Sequence, residues 1–171
     1  MGLTVAHRAL VAYEQFTGRY DVHTSRWGGL DCGLASLLSP ADPFGGGAVD
    51  SEARVYDRPF ESVLTMVDFA SHEALYRVST DFEIQAYRPL WFGLAHYLGA
   101  VDDSDASGVL VAVESVAEAR ELSAWLRAAK GVLADAVTAG YLTVPEALDV
   151  LAEATRRRAG GRAVLDPDGL S

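Results

Sequence analysis

Lysine is almost missing from this chain: of 14 basic residues only Lys130 is a lysine, against 24 Asp and Glu, and the formal net charge is −10. Apart from Arg156, Arg157 and Arg158 the cations are scattered. Duplex nucleic acid is therefore not an expected partner, because neutralising a run of phosphates takes a dense basic face. Cysteine is scarcer still. Cys32 alone excludes an internal disulfide and any zinc site built on paired cysteines. Long hydrophobic runs are missing as well: the most apolar stretch, residues 90–98, is less than half of the ~20 residues that cross a bilayer, so no membrane span is expected. The opening Met1-Gly2-Leu3-Thr4 leads into a strand-like pattern and lacks the basic segment and long apolar core of a secretion signal, which sets a cytoplasmic expectation.

What is present suits a folded domain. The 171 residues are 50% apolar or aromatic and 22% charged, enough for a single domain around one core. Acidic surplus combined with arginine in place of lysine fits a salt-adapted protein. In molar salt the Debye length falls to ~3 Å, so crowded carboxylates repel one another little while staying hydrated. GC-rich codon usage in a merely acidic protein is the competing reading.

The pattern along the chain predicts an α+β domain: a mainly antiparallel sheet of two hairpins plus one short strand, packed against a C-terminal αα-hairpin. Residues 1–27 read as an N-terminal hairpin, with two strand-like runs around Gln15-Phe16-Thr17-Gly18. Pairing Glu14 with Arg19 places Tyr13 opposite Tyr20 and Val11 opposite Val22, leaving Arg8, Leu10, Asp21, His23 and Ser25 on the reverse face. Residues 28–58 form a loop-rich excursion with Gly28-Gly29, a possible short helix at 31–38, Pro40, Pro43 and Gly45-Gly46-Gly47. Over 60–113 the pattern gives a helix through residue 71, a second hairpin (75–78 with 82–87), a solvated acidic loop at 102–108 and a buried strand at 109–113. Residues 115–159 make the helical hairpin. Ser115 with Glu118 and Thr143 with Glu146 have capping-box spacing, and Gly140 and Gly160 stop the helices. Residues 162–171 read as a frayed tail.

The chemistry-bearing candidates are few. Arg8, Asp21, His23 and Ser25 would share the reverse face of the first hairpin, where a base, an anion clamp and a hydroxyl could converge; a solvated sheet face is the plain alternative. His72-Glu73 lacks metal-protease spacing, and His72 reads as a residue closing a helix. No two of His7, His23, His72 and His96 lie three or four apart, so no metal is implied. Cys32 could serve as a nucleophile only beside a histidine and is otherwise a small core residue. Phe44-Gly45-Gly46-Gly47 lacks the Gly-Lys-Ser/Thr of a phosphate loop, and no cofactor fingerprint is present. Trp91, Phe92 and Trp125 are candidates for an interface if exposed.

The stretches 7–14 (HRALVAYE), Tyr20, His23, Ser25, Trp27-Gly28, 72–76 (HEALY) and 82–93 (FEIQAYRPLWFG) resemble an uncharacterised protein family of haloarchaea, over roughly the first hundred residues. The resemblance implies a salt-accumulating cytoplasm and carries no assigned activity or site residue. The hairpin also faintly resembles the opening of N-terminal-nucleophile amidohydrolases, for which only Thr4 could serve. With no strong catalytic signature, the expected function is a non-catalytic binding or adaptor domain, with a protein partner or a second copy of itself. A small hydrolase or nuclease using His23, Asp21, Ser25 and Arg8 is the alternative.

Overall fold

Among the residues described by the computed structural model, 6–99 and 107–168, seven strands form one mixed sheet. They are β1 (Arg8–Glu14), β2 (Tyr20–Ser25), β3 (Val55–Arg58), β4 (His72–Val78), β5 (Ile84–Trp91), β6 (Gly108–Val113) and β7 (Val164–Leu165), in the order β3-β2-β1-β4-β5-β6-β7. Neighbours run antiparallel except at the central seam, where β1 and β4 are parallel. The α+β class and both hairpins match the sequence pattern. The edge strands β3 and β7 extend it, and β7 replaces the tail expected to fray: Val164 and Leu165 pair with Val111 and Leu110. The opening residues 1–5 and most of the acidic loop, residues 102–106, lie outside the described residues.

Both faces of the sheet are covered, and this explains why Ala9 to Tyr13 are buried one after another instead of alternately. On one face Ala9, Val11, Tyr76 and Val111 meet Leu122 and Leu151 from the C-terminal helices α3 (Val116–Thr138) and α4 (Val144–Ala159). On the other, Leu10, Val22, Leu75 and Leu110 meet Val63 and Leu64 of the short helix α1 (Phe60–Thr65). Burying each of these valine and leucine side chains contributes about 1.5–3 kcal/mol. A further turn of helix, α2 (Ala95–Leu98), leads out of β5.

Local chemistry sets the ends. Thr143 and Glu146 form a complete capping box at α4, satisfying two orphan donors reciprocally. At α3, Ser115 accepts the Glu118 N–H, but the Glu118 carboxylate reaches one residue further back, to Glu114 N–H. After α3, Gly140 takes φ 83°, open to glycine at no steric cost. Helix α1 stops at Thr65, short of the expected residue 71. The Asp68 side chain accepts the Ala70 N–H and His72 Nδ1 accepts the Asp68 N–H, so these donors bond side chains in place of a helical carbonyl. His72 thus opens β4 and does not close a helix. No helix among the described residues is long and apolar enough to cross a membrane.

Candidate functional site

The first hairpin forms, but its register is displaced by one residue from the expected one. Glu14 pairs with Tyr20, Tyr13 with Asp21, Val11 with His23 and Ala9 with Ser25. The loop runs from Gln15 to Arg19, closed by Gln15 N–H donating to Arg19 O at 2.8 Å. Since side chains alternate, Asp21, His23 and Ser25 fall on the face of Val11 and Tyr13, whereas Arg8 shares the opposite face with Leu10 and Ala12. Of the expected four-residue cluster, Arg8 and Ser25 border a common cavity, and Asp21 and His23 do not line it.

His23, Ser25 and Asp21 instead tie the excursion onto the sheet. His23 is 7% exposed, its Nδ1 donates to Asp50 O at 2.8 Å, and its ring lies between Tyr13 and Phe44. The Ser25 hydroxyl donates to Ala48 O and accepts the Gly28 N–H, while Asp21 accepts the Asp57 N–H. Among the aromatic interface candidates, Phe92 is 3% exposed and belongs to the core. Trp91 is half-buried and stacks on Phe69, and Trp125 is half-buried on α3. Cys32 is buried among backbone carbonyls of Glu73 and Tyr87, and burial pushes its thiol up to about 12. A thiol held so firmly protonated is no nucleophile. His7 pairs with Glu73, and His96 lies exposed against Tyr97. Among the described residues, no group of three or more His, Cys, Asp or Glu is placed to hold a metal ion.

A different constellation does converge, at the end of the sheet where β1 and β4 begin. The parallel seam carries a bulge: Arg8 sits beside His72, yet the next residue, Ala9, sits beside Ala74, so Glu73 is the extra residue on β4. Bulges re-aim side chains. Here Arg8 and His72 line one cavity while Glu73 reaches His7. Extending the hairpin register by one residue sets Arg26 across from Arg8, and Arg54, just ahead of β3, arrives from the third strand. The cavity they line, with Thr24, Met66, Asp68 and Ser71, has a volume of about 640 Å³.

The electrostatics of this cavity are unusual for so acidic a chain. Among the described residues, the guanidiniums of Arg8, Arg26 and Arg54 have no hydrogen bond or ion pair; Arg26 lies over the Trp27 ring, 5.7 Å from its centroid. Like charges directly across a strand pair are destabilising, and among the described residues neither Arg8 nor Arg26 has an ion-pair partner. Asp68 is the cavity's one carboxylate. Hydrogen bonds from Ala70 N–H and from Ser71 hold it below the usual carboxylate range, and it stays charged. His72 is shifted down, chiefly by burial, with Arg54 and Arg8 pushing the same way and Asp68 opposing.

The tautomer of His72 follows from its partner. The Asp68 N–H points at Nδ1 at 2.8 Å, so Nδ1 must accept and the ring proton sits on Nε2. A neutral imidazole in that form can donate to a ligand from Nε2 but offers it no lone pair. Three forked cations and one neutral donor around a cavity can grip an anion of carboxylate or phosphate shape.

The sequence pattern singles out Arg8 and also His72, though His72 there reads as a residue closing a helix; it gives no sign of Arg26 and Arg54, which are dispersed in the chain. One signal was available: in the true register two arginines face each other across a hairpin, an arrangement that invites a negative partner. The two-sided apolar pattern of β1 hid that register.

No curated protein and no solved structure matches the chain. A family does match, over residues 5–58 and 47–165, together nearly the whole length. The chain belongs to DUF6735, a family of unknown function.

Proposed function

We propose that the protein is a non-catalytic binding domain of a salt-rich cytoplasm, and that it takes an anionic ligand between Arg8, Arg26, Arg54 and His72. The observation that carries this reading is the meeting of three unpaired arginines in one cavity of a chain whose net charge is −10. Three guanidiniums against the single carboxylate of Asp68 leave a surplus of positive charge there, which favours a further negative partner.

Binding is favoured over turnover by the protonation states. General base catalysis needs a lone pair aimed at the substrate, whereas His72 presents Nε2–H and Asp68 is held at low proton affinity. The hydrolase alternative has less support: His23 and Ser25 are buried, and their side chains already donate to the carbonyls of Asp50 and Ala48.

Calorimetric titration of the whole chain with inorganic phosphate tests the reading. Saturable one-to-one binding is expected. Arg54→Gln and Arg8→Gln should each weaken it about fivefold, the effect of an exposed charged contact worth about 1 kcal/mol. Absence of binding, or affinity indifferent to both substitutions, overturns the proposal. The salt-rich setting, and with it a haloarchaeal source, rests on composition. Thermal unfolding in dilute and in molar KCl checks it, a lower midpoint in the concentrated salt being the refuting result.

A further inference from the structure

The arginine cavity does not end at Arg26. A second cavity of about 860 Å³ shares Thr24 and Arg26 as walls and continues past Trp27, Phe44 and residues 47–51. Its character differs. Trp27 is 47% exposed, with the tilted His7 ring at 6.3 Å and the Arg26 guanidinium over its ring at 5.7 Å. Phe44, half-buried, forms another wall. Both volumes lie in the range that holds small ligands, ~300–1,000 Å³.

We infer that the ligand is a nucleotide, its phosphate held by Arg8, Arg54 and His72 and its base stacked on Trp27, with Arg26 between them. This rests on the anion-site reading and adds the substrate class. An arginine fork matches phosphoryl oxygens in two places at once, and an exposed indole beside a guanidinium is the sequence-tolerant surface on which nucleobases stack. A bare anion would use the first cavity and leave Trp27 idle; an apolar ligand would use Trp27 and leave the arginines unpaired. A nucleotide engages both. An acidic peptide would satisfy the charges but has no planar group for the indole.

Three probes separate the possibilities by calorimetry on the full chain: inorganic phosphate, adenosine and adenosine monophosphate, with tetraglutamate as the peptide control. Adenosine monophosphate should bind about tenfold or more tighter than phosphate or adenosine. Trp27→Ala should bring it down to the phosphate level while leaving phosphate affinity unchanged, and Trp27→Tyr should restore most of the difference. Arg54→Gln should weaken phosphate and nucleotide alike. Equal affinity for phosphate and adenosine monophosphate would sink the nucleotide inference and leave the anion site standing. Tetraglutamate binding as tightly as the nucleotide would also sink it, in favour of an acidic protein partner. No binding of any probe would end both readings.

Discussion

Removing one oxygen atom from Tyr76 should cost this protein a large part of its stability. Tyr76 is fully buried beside Val11 on the parallel seam, and its hydroxyl holds the start of the excursion. It donates to Gly28 O and accepts the Leu34 N–H at 3.1 Å. Tyr76→Phe keeps the ring and its packing but orphans a carbonyl and an amide. Leu34 is 3% exposed, so its amide has no ready route to water. An unsatisfied buried group costs about 1–3 kcal/mol, so the pair should cost roughly 2–5 kcal/mol, out of a total that is typically about 5–15 kcal/mol. Urea unfolding followed by circular dichroism reads this directly. With a slope of about 2 kcal/mol per molar, the midpoint should fall by roughly 1–2 M. Tyr13→Phe is the internal comparison, because the Tyr13 hydroxyl makes a single bond, to Pro43 O, at the rim of the core. It should cost about 1 kcal/mol. Equal midpoints for the two variants, or a Tyr76→Phe midpoint within about 0.3 M of wild type, would refute the view that Tyr76 anchors the excursion through its hydroxyl.

Other perturbations have clear signs. Gly29→Ala would put a Cβ 2.4 Å from Arg8 O and 2.9 Å from His7 O, both backbone atoms that cannot swing aside; a loss of about 1–3 kcal/mol or more is expected by urea unfolding, and a neutral result would mean the chain does not pass β1 this closely. Thr143→Ala removes one half of the capping box on α4 and should lower stability by about 1 kcal/mol, read as a fall in thermal midpoint. The folded chain protonates His72 less readily than the unfolded chain, so its contribution to stability is whole above about pH 6.5 and declines as pH falls from there through the lowered folded value. His72→Asn keeps an acceptor for the Asp68 N–H and cannot titrate; its stability should fall less than wild type over that window, and parallel curves would remove His72 as the cause.

The parts of the fold legible in the sequence were those with local causes. The capping signals at Ser115 and Thr143 and the glycine after α3 depend on neighbours a few residues apart, and each lies where its chemistry placed it. The register of the first hairpin was decided by distant parts. Alternation of apolar and polar residues identifies a register only when one face is wet. Here the 28–58 excursion roofs one face and α1 the other, so His23 and Ser25 point inward, satisfied by carbonyls of Asp50 and Ala48 that no nearby sequence foretells. The same excursion supplies Arg54 to the candidate site, and His72 comes from beyond a helix that stops early. Half of the site's cationic and donor groups could be assigned only after the third and fourth strands had been placed.

The single parallel seam explains why the open end of the sheet became the candidate site. Between antiparallel neighbours a tight turn closes one end, as Gln15 to Arg19 closes the far end of β1 and β2, where Phe16 projects fully into solvent. Between β1 and β4 no such turn is possible, because parallel strands must be joined by a long crossover. Both strands therefore enter from one end, and the crossover leaves β2 and later re-enters as β3 at that same end. Arg8, Arg26, Arg54 and His72 are thus gathered by topology, each at or next to a strand terminus, with Arg8 and His72 the first pair of the β1–β4 ladder. Strand termini can carry exposed cations without disturbing the two buried faces, so this end could acquire a charged pocket while the core between the helices stayed apolar.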